Sequence, residues 1–126
     1  MNTNRVLTYL GIFFGIYSIL MLFYGASRSF PAALSNAVMN DKKWEKVNNR
    51  LINIGMTWIA FGLVHGGIAL LLFEGAVRNR HIIVMLYFYN LFSPLIPVHI
   101  TWKKANETEK MKKELIEEYQ KPVVNE

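Results

Sequence analysis

Cysteine is absent from this chain of 126 residues. Its absence excludes disulfides, iron–sulfur clusters, zinc sites built on thiolates and cysteine nucleophiles. Charge is also missing from three long stretches, although charged residues make up 18% of the chain. A chain of this length forms one domain at most. The segregation of charge, rather than the average composition, therefore indicates the fold class.

The uncharged stretches are three apolar runs, which span residues 6–24, 51–73 and 81–102. Each run is close to the ~20 residues that an α-helix needs to cross a ~30 Å hydrocarbon core. None carries the polar stripe that a helix of a soluble bundle presents to water. The runs predict an all-α membrane protein, organised as a single membrane domain with three transmembrane helices.

Lysine and arginine are distributed unevenly between the two sides that three crossings define. The N-terminus and the loop 74–80 hold three, whereas the loop 25–50 and the tail 103–126 hold eleven. Because positively charged segments stay inside, we expect a multi-pass protein of the cell membrane. Its N-terminus and the loop 74–80 face outward, and its first loop and C-terminal tail are cytoplasmic.

The first apolar run also resembles a signal peptide, because Arg5 precedes it and the small residues Gly25, Ala26 and Ser27 follow it. Such peptides have an apolar core of only ~7–15 residues, which is shorter than this run. A retained first helix is therefore the favoured interpretation.

The first loop contains helical patterns of its own. Just after Ser29, apolar residues recur at helical spacing: Phe30, Ala33, Leu34, Ala37 and Val38. This pattern predicts an interfacial helix on the cytoplasmic surface. An irregular loop is the alternative. Further on, Asn40 or Asp41 can cap a helix. Trp44, Val47 and Leu51 then share a face, so this second helix is expected to run straight into the second span.

The C-terminal tail alternates acidic and basic residues four positions apart, as in Glu109–Lys113 and Lys113–Glu117. Such pairs stabilise helices, and Pro122 ends the pattern, so the tail predicts a charged cytoplasmic helix. Met111, Leu115 and Tyr119 form a thin apolar stripe along it. A fully solvated helix is the favoured interpretation, and docking of that stripe on a partner or on the first loop is the alternative.

Small and polar residues inside the apolar runs require an explanation. Gly62–Gly66 and Gly11–Gly15 are small-xxx-small pairs, which predict a close crossing of the first two helices or a homodimer seam. His65 and Asn90 are polar residues at transmembrane depth, where such groups are costly and face the bundle interior. We expect these two side chains to meet, joined by Tyr87 or Tyr89. The pair acts either as structural hydrogen bonding or as a proton, ion or ligand site.

Proline marks the third run at Pro94 and Pro97. Each removes a backbone donor, so a kink is expected there, with the Ser93 hydroxyl available to a freed carbonyl. His99 lies nearer the cytoplasmic end, offset by ~15 Å from His65 along the membrane normal at ~1.5 Å per residue. That offset prevents the two histidines from ligating one metal or haem within a single chain, so no cofactor, metal or catalytic site is predicted.

Residues 40–64 read NDKKWEKVNNRLINIGMTWIAFGLV. Through Asp41, Trp44, Asn48 and Gly55 this stretch resembles the SdpI-type immunity and DUF3784-like families of small bacterial membrane proteins. The resemblance implies a bacterial plasma-membrane protein that protects against a membrane-active toxin.

The sequence leaves several functions open, and none involves nucleic acid, because the basic residues flank apolar runs. The favoured hypothesis is an accessory or regulatory subunit of a larger membrane complex, which acts through helix–helix contacts. The alternatives are a self-contained immunity protein and a homo-oligomeric transport or ligand-binding unit. The expected partners are membrane lipids and either another membrane protein or a second copy of the chain.

Overall fold

The computed structural model describes residues 3–120, with side chains from residue 5. These residues form four helices joined by short connections: α1 (Thr3–Val38), α2 (Lys42–Phe73), α3 (Arg80–Phe92) and α4 (Leu95–Gln120). Because two residues separate α3 from α4, the pair forms a single candidate span over Arg80–Gln120, beside Arg5–Val38 and Lys42–Phe73. The prediction of an all-helical chain with three helices long and apolar enough to cross a membrane is confirmed.

The first two helices are longer than the apolar runs inside them. α1 has 36 residues and α2 has 32, which corresponds to ~54 and ~48 Å, against the ~30 Å of a hydrocarbon core. The segment 25–50 therefore consists of two helix ends and a short connection, and the helix that begins after Asp41 continues without a break to Phe73. α2 begins as predicted, with the Asp41 side chain accepting a hydrogen bond from the Lys43 amide at 2.9 Å.

A separate interfacial helix over residues 30–38 is not confirmed, because these residues form the last turns of α1 and Pro31 lies inside it. Proline weakens a helix interior by removing a hydrogen bond. Packing on both sides of Pro31 offsets this loss: Ser29 and Ala32 are each only 3% exposed where α1 lies against α2.

α1 and α2 pack as antiparallel helices along a seam of small residues. The Ser18 hydroxyl donates to the Gly62 carbonyl at 2.7 Å. Two turns along, a Cβ built on Gly25 would lie only 2.5 Å from the Gly55 carbonyl oxygen. The buried seam positions recur every seven residues, at Gly11, Ser18, Gly25 and Ala32 in α1 and at Asn48, Gly55, Gly62 and Ala69 in α2. A seven-residue repeat keeps one helix face on its partner, and small residues let the backbones approach closely.

The helices enclose an apolar core at the end where α1 begins and α2 ends. Its buried members come from three helices: Leu7, Leu10 and Phe14 of α1, Ala69 and Leu72 of α2, and Ile83 of α3. α3 adds little else to this core, since only Ile83 and Asn90 of its 13 residues are buried. The α1–α2 pair is therefore the rigid part of the fold, and α3 lies against it.

The opposite end is a polar three-helix extension, termed the stalk: residues 26–38 of α1, 42–50 of α2 and 103–120 of α4. Ion pairs tie α4 to both partners, with Arg50–Glu107 at 3.2 Å, Lys43–Glu118 at 2.6 Å and Arg28–Glu109 at 4.0 Å. The hydrogen bond to Glu118, assisted by its charge, raises the pKa of Lys43. The tail is thus docked on the other two helices, and the favoured interpretation of a fully solvated helix was wrong.

The apolar stripe of the tail supplies the docking contacts. Leu115 is buried, and the Tyr119 ring stacks on Trp44 with centroids 6.3 Å apart while its hydroxyl bonds the Asp41 carboxylate. On α2, Val47 is fully buried at this end. Because exposed ion pairs contribute only about 0–1 kcal/mol each, burial of the apolar side chains is the larger contribution to docking.

Replacing Leu115 by alanine is expected to loosen the end of α4, because it deletes a side chain that is only 8% exposed. The expected cost is about 2 kcal/mol, the low end for a Leu→Ala change in a core. Hydrogen exchange of the α4 amides measures it. Ile116→Ala is the matched control, since Ile116 is 36% exposed, and equal exchange in the two variants would contradict this account of docking.

Candidate functional site

His65 is the central residue of a polar cluster in the apolar part of the fold. It lies on α2 and is completely buried. Its Nδ1 atom is 2.7 Å from the Phe61 carbonyl oxygen, and its Nε2 atom is 2.8 Å from the Ser93 hydroxyl. Both ring nitrogens are therefore satisfied, as a buried imidazole requires.

Aromatic side chains surround the imidazole on the sides that make no hydrogen bonds. Phe14 of α1 and Tyr89 of α3 each lie 5.5 Å from His65 between ring centroids, and Tyr17 lies edge-on at 6.4 Å. Of the two tyrosines predicted to join the site, Tyr89 is the one that stacks on His65. Rings at these distances contribute packing and a weak attraction for a cation.

Ser93 connects His65 to the proline break between α3 and α4. Pro94 has no N–H to donate to the Asn90 carbonyl, and the Ser93 hydroxyl lies 3.3 Å from that oxygen. Pro97 likewise has no N–H to donate to the Ser93 carbonyl, which accepts a hydrogen bond from the Ile96 amide at 3.2 Å. The helix therefore breaks at Pro94, and the Ser93 hydroxyl lies within reach of the carbonyl that the proline frees.

Asn90 does not meet His65 through its side chain. It is 5% exposed, and its Nδ2 atom is a buried donor without a hydrogen-bond partner among the described residues. His65 instead bonds Ser93, one helical turn further along. Because Pro94 frees the Asn90 carbonyl, Asn90 enters the cluster through its backbone oxygen rather than through its amide.

Tyr87 lies outside this cluster. Its side chain is 53% exposed and lines an apolar groove of about 300 Å³ between α1 and α3, beside Tyr9 and Phe13. Neighbouring helix residues point in different directions, so Tyr89 rather than Tyr87 faces His65. The groove and the His65 cluster are therefore separate features.

The four predicted contact glycines have different surroundings. A Cβ on Gly62 would lie 2.9 Å from the Leu22 side chain, and one on Gly66 would lie 2.8 Å from the Ser18 hydroxyl. One on Gly11 would touch only the Phe73 ring, at 3.0 Å, and one on Gly15 would meet nothing within 4 Å. Gly62 and Gly66 thus belong to the α1–α2 crossing, whereas Gly15 is open.

The tightest glycine contact of the crossing is between Gly25 and Gly55, and neither residue belongs to a four-residue glycine pair. Their seven-residue spacing from Ser18 and Gly62 was the available signal.

The His65 cluster has the chemistry of a hydrogen-bond relay. Its members can exchange a proton or reorient a hydroxyl, because imidazole and hydroxyl groups both donate and accept. Among the residues that the structure describes, no three histidine, aspartate or glutamate side chains gather to hold a metal ion. His81 and His99 are both exposed and lie apart from His65 on the chain.

The fold and this cluster define an all-helical protein with three helices long and apolar enough to cross a membrane, and with a buried histidine relay beside a proline break. Comparison of the chain with protein-family models, with curated proteins and with solved structures finds no match.

Proposed function

We propose that this protein is an accessory or regulatory subunit of a larger complex in the cell membrane, and that it binds its partner through α1. The observation that carries the proposal is an unpartnered apolar face on α1, termed the outer face. Its members recur at seven-residue intervals and are all exposed: Phe13, Ile16, Leu20, Phe23, Ser27, Phe30, Leu34 and Ala37. Ser27 is its only polar side chain.

The outer face extends beyond the part of the fold that lipid can cover. In the stalk, Phe30 and Leu34 are each 67% exposed and Val38 is 76% exposed. The helices beside them carry the Arg50–Glu107 and Lys43–Glu118 ion pairs, which belong in water. Exposing apolar surface to water costs roughly 25 cal/mol per Å², and contiguous patches of this kind mark interaction sites.

The repeat also specifies the shape of the partner. A seven-residue repeat on one helix face is the pattern that packs against another helix as a coiled coil. Lipid chains require no such periodicity. A helix of a partner subunit that crosses the membrane and continues beyond it therefore fits the outer face along its length.

The basic residues support a cytoplasmic position for the stalk. Of the 14 lysines and arginines, eleven lie in residues 25–50 and 103–126. The positive-inside rule places these segments in the cytoplasm and the N-terminus outside. A stalk in the cytoplasm would let the subunit contact soluble parts of the same complex.

The test is purification of the tagged chain from its native host in a mild detergent, with mass spectrometry of co-eluting proteins. The wild type is expected to recover a stoichiometric membrane protein. Leu34→Asp is expected to lose that partner at unchanged abundance, because it places a charge in the apolar contact. Ile116→Asp changes an exposed stalk residue on α4 and should retain it. Recovery of the chain alone, or retention of the partner by Leu34→Asp, would refute the proposal.

A further inference from the structure

We propose that His65 is a proton-binding site within the apolar part of the fold, and that its occupancy decides which acceptor the Ser93 hydroxyl bonds. The inference is independent of the identity of any partner. It rests on three contacts: Nδ1 to the Phe61 carbonyl, Nε2 to the Ser93 hydroxyl, and that hydroxyl to the Asn90 carbonyl.

The first contact fixes the tautomer of the neutral ring. A carbonyl oxygen only accepts hydrogen bonds, so Nδ1, 2.7 Å from the Phe61 oxygen, carries the proton. Nε2 of the neutral imidazole is then an acceptor. The Ser93 hydroxyl, 2.8 Å away, must donate to it. In this state the Asn90 carbonyl receives no hydrogen from Ser93.

Protonation reverses the direction of the hydrogen bond between His65 Nε2 and the Ser93 hydroxyl. In the imidazolium both ring nitrogens are donors, so Nε2 donates to the Ser93 oxygen. The Ser93 hydrogen is then released to the Asn90 carbonyl, 3.3 Å away, which Pro94 leaves without its backbone donor. Every hydrogen of the charged ring still has an acceptor. The site therefore accommodates the proton without a change of backbone partners.

The surroundings leave no space for a ligand larger than a proton. His65 and Ser93 are each completely buried, and the groove nearest to them along α3 is apolar and separate. The titratable groups that face the ring are Tyr17 from α1 and Tyr89 from α3. The apolar runs of all three spans carry no acidic or basic side chain besides histidine. The aromatic faces within about 6 Å supply the attraction for the cation.

Asn90 places a second polar group near this site. Its Nδ2 atom is buried one turn from Ser93, without a hydrogen-bond partner among the residues that the structure describes. An unpaired buried amide costs about 1–3 kcal/mol, and a water molecule would satisfy it.

The consequence of proton binding falls on the joint between α3 and α4. The Ser93–Asn90 bond lies in the last turn before Pro94, so the charged state closes there a hydrogen bond that the neutral state leaves open. α4 continues from this joint into the stalk, where Glu107 and Glu118 tie it to α2. The proton thereby changes the hydrogen bonding of the last turn of α3, next to the joint from which α4 begins.

The experiment is nuclear magnetic resonance of the full chain in lipid nanodiscs, with ¹⁵N in histidine and ¹³C in the Asn90 carbonyl. His81→Gln and His99→Gln assign the three imidazoles. Spectra are recorded between about pH 8 and pH 5, and binding of the proton would change the His65 signals from Nδ1-protonated to doubly protonated. The Asn90 carbonyl resonance should move with them.

Ser93 variants test the relay itself. In Ser93→Ala the Asn90 carbonyl resonance should no longer follow His65, and Ser93→Thr, which keeps the hydroxyl, should restore the coupling. A His65 ring that stays singly protonated over the whole range would overturn the proton site. An Asn90 carbonyl that follows His65 equally in Ser93→Ala would overturn the relay. Neither result bears on capture of a partner by the outer face.

Discussion

Replacing Gly55 by alanine is expected to lower the free energy of unfolding by about 3 kcal/mol, the upper end for overpacking a close contact. A Cβ at this position would overlap the Gly25 carbonyl oxygen and lie 2.8 Å from the Ser29 amide nitrogen. Both are backbone atoms, so no change of rotamer relieves the collision. The α1–α2 pair would have to separate at the contact that brings its backbones closest.

The matched control is Gly67→Ala on the same helix, because a Cβ at Gly67 meets nothing within 4 Å. It should be neutral or stabilising by up to about 1 kcal/mol, since alanine is the better helix former. Denaturation in mixed detergent and lipid, followed by far-ultraviolet circular dichroism, compares the two variants. Equal loss of stability would mean that glycine acts through helix propensity and not through close packing.

The number and type of the helices could be predicted from the sequence because they depend on local composition. Three uncharged runs of sufficient length specify three apolar helices, whatever their packing. The ends of the helices depend on packing as well as on local composition. Residues 25–38 are neither strongly apolar nor capped, and they are helical because Ser29 and Ala32 pack against α2, a contact that sequence composition does not report.

The sequence predicted a close contact between α1 and α2 but not which residues form it. The four-residue pairs Gly11–Gly15 and Gly62–Gly66 indicated close packing, and Gly62 does lie in the crossing. Antiparallel helices that stay in contact over many turns repeat every seven residues instead. That spacing links Ser18 to Gly25 and Gly55 to Gly62, and it was present in the sequence.

For the His65 cluster, similar depth along the helices did not identify which side chain contacts the histidine. His65 and Asn90 were expected to meet because they lie at similar depths. Depth does not determine which side of a helix faces the neighbour, and Pro94 changes which backbone groups need a partner. The Ser93 hydroxyl lies within hydrogen-bond distance of both His65 Nε2 and the freed Asn90 carbonyl, so the hydroxyl next to the proline, rather than the amide, became the partner of the histidine.

Replacing Phe14 by alanine is expected to destabilise the fold by about 3 kcal/mol. Phe14 is completely buried and packs on His65 and Tyr89, with ring centroids 5.5 and 6.1 Å away. A Phe→Ala change in a core costs about 3–5 kcal/mol, from lost transfer free energy and from the cavity. For apolar helices that unfold into detergent the transfer part shrinks, because the unfolded side chain stays in apolar surroundings. The cavity and the lost ring contacts remain, which favours the lower end of that range.

Phe23→Ala separates the contribution of packing from that of transfer free energy, because it deletes the same side chain at a position of α1 that is 73% exposed. It should cost little in detergent, where neither a cavity nor a ring contact is lost. The same denaturation measurement compares the variants, and the difference between them is the contribution of packing. Phe14→Ala should also release one wall of the His65 site, so its His65 signals should broaden while those of Phe23→Ala stay sharp. Similar stability losses in both variants would contradict a core centred on Phe14.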